Sequence, residues 1–179
     1  MCGIVGYIGA QQAAPILLEG LKKLEYRGYD SAGVAVYNDN EINVVKSKGR
    51  LKILDDQLDG GKKLPGTLGI GHTRWATHGE PSDINSHPHT NTSGNIAVVH
   101  NGIIENYLKL KDYLIKKGYV FVSDTDTEVI AHLVDYYYNG DMVDTVIKVI
   151  GKLEGSYALG IISKDHPDEL VAVRKDSPL

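Results

Sequence analysis

One cysteine in 179 residues, Cys2, excludes an intramolecular disulfide framework and leaves any thiol chemistry to that residue alone. The scarcity fits a reducing, cytoplasmic compartment. No apolar run approaches the roughly 18 residues of a membrane-crossing helix. The N-terminus lacks the basic, apolar and cleavage regions of a signal peptide. Basic residues do not predominate: 19 Lys and Arg face 23 Asp and Glu, for a formal charge of -4. With no basic block, a nucleic-acid or membrane-surface role is disfavoured. There is no internal repeat and no low-complexity tract. At the other end, residues 171–179 stop just past an expected strand with neither helix nor polar tail, which reads as a cut before a linker in a longer protein.

What is present is ordinary for one soluble domain: 42% apolar and 23% charged residues. Gly3 to Gly9 reads as a short buried strand. Residues 13–25 carry Leu17, Leu21 and Leu24 at helical spacing. Alternation over 32–37 and 42–45, with Asn38-Asp-Asn40 between, predicts a hairpin. Further strands are expected over 67–73 and 95–101, helices over 105–117, 127–138 and 143–153, and closing strands over 156–162 and 169–174. The second of these helices opens with Thr125-x-x-Glu128, a capping-box pattern. Strands in pairs, with helices in groups, point to antiparallel sheets covered by helices rather than to strict βαβ alternation. Residues 74–94 form a polar stretch too long for an ordinary connection, which marks it as functional.

The chemistry-bearing residues sit in separate segments. Loss of Met1 is expected before a residue as small as Cys2, and it would put a thiol and a free α-amine on one residue. With reference pKa values near 8.5 and 7.7–8.0, the amine can take the thiol proton, so no catalytic histidine is required. A small buried apolar Cys2 is the plain alternative. The run His72-Thr-Arg-Trp-Ala-Thr-His-Gly79 can hold an amino acid, with the Arg74 guanidinium and a threonine hydroxyl on a carboxylate and Trp75 as a lid. It can equally be a loop pinned by its own hydrogen bonds. Asn101-Gly102, at the end of an apolar strand, offers an amide and a backbone N–H suited to an oxyanion, or a simple turn. Asp126 either occupies the first turn of its helix or pairs with a ligand ammonium. The run Arg27 to Gly33 either buttresses a site or turns the chain.

Histidines supply a rival. His72, His78, His87, His89 and His100 could be metal ligands, but no carboxylate or second cysteine stands at familiar spacing. A Ser-His-Asp triad lacks a G-x-S-x-G elbow. A non-catalytic amino-acid-sensing domain is a rival of a different class.

Together, Met1-Cys-Gly-Ile-Val-Gly6, Tyr26-Arg-Gly-Tyr-Asp-Ser-Ala-Gly33, His72 to Gly79, His100-Asn-Gly-Ile-Ile-Glu-Asn106 and Thr125-Asp-Thr-Glu128 resemble the class II, N-terminal-nucleophile glutamine amidotransferases. The likeness is to the branch of the glucosamine-6-phosphate synthases, favoured over the purine and asparagine branches by the Arg74 to His78 run. The resemblance implies an α+β fold, a four-layer αββα sandwich of two mainly antiparallel sheets between helices. It implies that residues 1–179 are the glutaminase domain, with a sugar isomerase part beyond Leu179. It makes Cys2 the nucleophile and Asn101 and Gly102 the oxyanion hole. Arg74 and Thr77 would clasp the α-carboxylate of L-glutamine, and Asp126 its ammonium. Trp75, His78 and Gly79 would close over the substrate, and Arg27 would support the nucleophile. No metal or organic cofactor is implied, nor any nucleic acid or membrane partner. Fructose 6-phosphate would be met through the part that follows, in a homo-oligomeric whole enzyme.

Overall fold

Two antiparallel sheets of four strands each lie face to face in the computed structural model, which describes residues 2–76 and 79–178. The first sheet contains β1 (Gly3–Ile8), β2 (Ser31–Asn38), β3 (Glu41–Lys48) and β4 (Leu68–Arg74), in the order β1-β4-β2-β3. The second contains β5 (His89–Thr90), β6 (Ile96–Ile104), β7 (Gly155–Ser163) and β8 (His166–Lys175), in that order. Helices α1 (Ala13–Leu24) and α2 (Leu51–Leu58) cover the outer face of the first sheet. Helices α3 (Tyr107–Lys116), α4 (Glu128–Tyr137) and α5 (Met142–Ile150) cover the second. This is the expected αββα sandwich. None of the described helices is long and apolar enough to cross a membrane.

Period-two alternation explains why the layers form where they do. In β6, Ile96, Val98 and Ile104 pack under α4, whereas Ala97 and Val99 face the other sheet. In β4, Leu68 and Ile70 meet them from the opposite side. The alternate positions Gly69 and Gly71 leave room for α1: a Cβ there would lie 2.9 Å from Leu17 Cδ1 and 3.0 Å from Leu21 Cδ1. The hairpin of β2 and β3 turns through Asp39 and Asn40, both at positive φ (49° and 63°), as a tight two-residue connection requires.

Four local expectations need correction. The strand from Gly3 is not buried: β1 is an edge of its sheet, and only Gly3 among its six residues is buried. Helix α2 was not expected, although Leu51, Leu54 and Leu58 carry its periodicity. Strand β6 does not end at Asn101-Gly102 but continues to Ile104, because β7 pairs with it throughout, Asn101 opposite Ala158 and Gly102 opposite Tyr157. The capping box at α4 does not form as such. The Glu128 carboxylate reaches back to the N–H groups of Val122 (2.9 Å) and Ser123 (2.7 Å), but the Thr125 hydroxyl bonds Ser123 and His89 instead of the helix end.

Candidate active site

The alternation that builds the core also delivers the site. Continuing the inward face of β4 past Ile70 gives His72 and Arg74, both buried. Continuing the inward face of β6 past Val99 gives Asn101. At this end of the sandwich the interior changes from aliphatic to polar and opens into a cavity of about 520 Å³, a size suited to a small ligand. Cys2, immediately before β1, stands at its wall together with Arg27, Arg74, Trp75, Asn101, Gly102 and Asp126. Seven residues from distant segments thus share one cavity.

The Cys2 sulfur receives the backbone N–H of Trp75 at 3.2 Å and lies 3.6 Å from the Trp75 carbonyl. Burial pushes the thiol pKa up; the Trp75 N–H and the Arg74 charge counter this in part, and the Asp30 carboxylate adds to it. The thiol therefore holds its proton at neutral pH and needs a base to ionise. The carbonyl of the same residue accepts from Asn101 Nδ2 at 3.2 Å, across 99 positions of sequence. Both sheets therefore contribute to the surroundings of Cys2.

Gly102 lies beside Asn101 at φ 120°, and a Cβ there would fall 2.1 Å from the Ser156 carbonyl oxygen, so only glycine fits this register with β7. Asp126 precedes α4 rather than lying in its first turn. Its Oδ2 accepts the Ile104 N–H at 2.8 Å, which fastens the segment before the helix to the end of β6. Arg74 Nη2 donates to the Gly79 carbonyl at 3.1 Å, tying the guanidinium to the start of the long loop. Arg27 donates to the Tyr26 hydroxyl at 2.7 Å. Trp75 is 47% exposed and meets Tyr29 edge-on at 5.3 Å, so its indole sits at the rim rather than in the core. Gly79 lies on the loop near Asn85. Thr77 and His78, expected on the substrate, lie outside the described residues.

Several residues of the site had no sequence assignment. Asp30 accepts the Ala76 N–H, and its own N–H bonds the Arg74 carbonyl at 3.2 Å, so it clamps the chain on either side of Trp75. The Arg27 to Gly33 run, which contains it, was the available signal. His72 Nε2 bonds Asn101 Oδ1 at 2.9 Å and the His100 carbonyl at 3.0 Å. His87 stacks on His72 with centroids 4.1 Å apart and 14° between the rings. Thr127 lies 2.8 Å from His100 Nδ1 and 3.5 Å from His87 Nε2. The spacing of His72 two positions before Arg74 was the available signal that it faces the same way. Burial lowers the pKa of His72 and His89 to about 3 and that of His87 well below its usual value, so these rings are neutral. Stacked faces do not converge lone pairs, and among the described residues no three His, Cys, Asp or Glu side chains are grouped to hold a metal.

Comparison with known proteins agrees with this geometry. Residues 72–177 match the family described as glutamine amidotransferase domain. The whole chain is 64% identical to a protein of Caldanaerobacter subterraneus subsp. tengcongensis named glutamine--fructose-6-phosphate aminotransferase (isomerizing), and covers 29% of it. It is 65% identical to a protein of the same name from Clostridium acetobutylicum, again covering all of this chain and 29% of the relative. The chain thus spans less than a third of the length of these relatives. Among solved structures, glutamine phosphoribosylpyrophosphate amidotransferase from B. subtilis superposes with a TM-score of 0.81 at 28% identity, over 96% of this chain and 37% of that one. Two packed antiparallel sheets, a cavity lined by Cys2 near the N-terminus and a match over most of the sequence agree, and the chain belongs to the glutamine amidotransferase domain family.

Proposed function

We propose that this chain hydrolyses L-glutamine to glutamate and ammonia through a thioester on Cys2. The observation that carries the reading is the convergence on one cavity of a thiol, an amide donor, a buried guanidinium and a carboxylate, from four separate segments. These are the four functions that hydrolysis of an amino-acid amide requires.

With Met1 removed, the α-amine of Cys2 accepts the thiol proton as sulfur attacks the side-chain carboxamide carbon. The carbonyl oxygen becomes an oxyanion and accepts hydrogen bonds from the Asn101 amide and the Gly102 N–H. The C–N bond then breaks, the α-ammonium returns its proton to the leaving nitrogen, and ammonia departs. Water adds to the thioester, giving its proton to the same amine; the C–S bond breaks and the thiol is re-formed. The sum is glutamine plus water to glutamate plus ammonia. Arg74, with Thr77, would bind the α-carboxylate in paired hydrogen bonds. Asp126 has one oxygen on Ile104 N–H, which leaves the other for the ammonium. Trp75, His78 and Gly79 would cover the bound substrate, and Arg27 would brace the nucleophile's side of the cavity.

The names of the relatives extend the proposal. The ammonia would be delivered to fructose 6-phosphate by a sugar-binding part beyond this domain, in a homo-oligomeric cytoplasmic enzyme. The test is intact mass paired with glutamate release on wild type and Cys2→Ala. Wild type that has lost Met1 should release glutamate and carry a transient glutamyl adduct, whereas Cys2→Ala and a chain that retains Met1 should do neither. Equal glutamate release by wild type and Cys2→Ala overturns the reading.

A further inference from the structure

Asn101 can serve an oxyanion only if its amide presents nitrogen, not oxygen, toward Cys2, and the two orientations have nearly the same shape. Something must choose between them. His72 is fully buried, and its Nε2 lies 3.0 Å from the His100 carbonyl oxygen and 2.9 Å from Asn101 Oδ1. A carbonyl oxygen can only accept, so Nε2 carries the ring proton. The same N–H then meets Asn101 and requires an acceptor there. Turned over, the amide would aim its NH₂ at an N–H, leaving two buried donors facing each other, which is costly in a dry interior. In the observed orientation Nδ2 is directed instead to the Cys2 carbonyl at 3.2 Å. The ring itself is held by His87, stacked at 4.1 Å. His72 Nδ1 has no hydrogen-bond partner among the described residues, so nothing there competes for the other tautomer.

We propose that His72 is a positioning residue: its Nε2–H, fixed by the His100 carbonyl, locks the Asn101 amide with its NH₂ toward Cys2 and the forming oxyanion. The proposal rests on the roles assigned above to Cys2 and Asn101. His72 touches no substrate atom; it acts through Asn101 alone. The hydrogen bond to Oδ1 also polarises the amide, making the opposite N–H a better donor as charge develops on the substrate.

Three variants test it on the full chain with Met1 removed, with kcat and KM for glutamine and the melting temperature measured for each. His72→Leu fills the space without a donor. His72→Asn keeps polarity, but its shorter amide ends near the Nδ1 position. His72→Gln carries an N–H out to the Nε2 position. Leu and Asn are expected to lower kcat about 10- to 100-fold with KM within about threefold of wild type, the loss expected from a misaligned catalytic group. Gln is expected to restore most of kcat. A Leu or Asn variant that keeps kcat within twofold of wild type overturns the proposal. So does a Gln variant as slow as Leu, or losses that follow the melting temperature and KM instead of the donor. If Leu does not fold, Asn and Gln decide between these outcomes. An inactive Cys2→Ala beside an unaffected His72→Asn refutes the positioning role alone. Full activity of Cys2→Ala refutes the functional reading beneath it.

Discussion

The Trp75 backbone N–H points at the Cys2 sulfur from 3.2 Å, so the front of the chain and the loop after β4 are in direct contact. Trp75 is the only tryptophan and Cys2 the only cysteine. Alkylation of Cys2 by iodoacetamide should therefore change the intrinsic tryptophan fluorescence, in step with the mass increase of one adduct. The Cys2→Ala protein should give no spectral change under the same treatment. A labelled wild type with an unaltered emission spectrum would contradict the contact.

Asn101→Ala removes the amide that donates to the Cys2 carbonyl and is proposed to hold the oxyanion. Loss of one oxyanion donor typically costs on the order of 10²–10³ in rate. Glutamate release should fall by about that factor, with KM for glutamine little changed, because Arg74 and Asp126 remain. Steady-state kinetics at saturating glutamine measure it, and near-normal kcat would remove Asn101 from the oxyanion site.

Gly102→Ala should damage both stability and activity. The new Cβ would lie 2.1 Å from the Ser156 oxygen at a φ of 120°, so β6 must move away from β7. Strain of this kind costs about 1–3 kcal/mol, which urea denaturation would read as a lower midpoint. An unchanged midpoint would show that the strands part there without cost.

Acid should destabilise the fold before its carboxylates titrate. His72, His87 and His89 have pKa values held below the ordinary 6.5 by burial, so the unfolded chain binds protons that the folded one refuses. Stability is then full above pH 6.5 and falls as pH drops below it, toward about 3. Urea midpoints between pH 7 and about 5 should decline with a slope approaching three protons, and His87→Gln should reduce that slope by about one. Glu128 acts in a lower window. Burial alone would raise its pKa, but hydrogen bonds from His132, Ser123 and Val122 outweigh that and bring it to about 2. Its contribution is therefore present above 4.5 and lost toward 2. A flat stability profile from pH 7 to 5 would contradict neutral buried histidines.

The layers were legible because their signals are local and periodic. Leu17, Leu21 and Leu24 mark a helix whatever surrounds them, and the alternation flanking Asn38 to Asn40 marks a hairpin. The site residues were legible as motifs, and Cys2, Arg27, Arg74, Trp75, Asn101, Gly102 and Asp126 do share one cavity. What was not legible depends on partners far along the chain. Strand β6 outruns Asn101-Gly102 because β7, more than fifty positions on, continues to pair with it; an Asn-Gly pair alone suggests a turn. Asp126 leaves the helix because Ile104 N–H claims it. The histidines looked like candidate ligands in sequence, and only their stacking and their hydrogen bonds to Asn101 and Thr127 identify them as scaffold.

The inward faces of β4 and β6 begin as hydrophobic spacer and end as chemistry. Ile70 precedes His72 and Arg74 on one, and Val99 precedes Asn101 on the other. The separation of the His72 and Arg74 backbone from that of Asn101 is thus set by the aliphatic layer deeper between the sheets. Side-chain volume deep in the interior then bears on the shape of the cavity: a methyl group lost beside Ile70 would let the two sheet ends settle closer or slip askew, without touching a residue of the cavity wall. The sandwich works as a calliper, and its jaws are set by the filling between the plates.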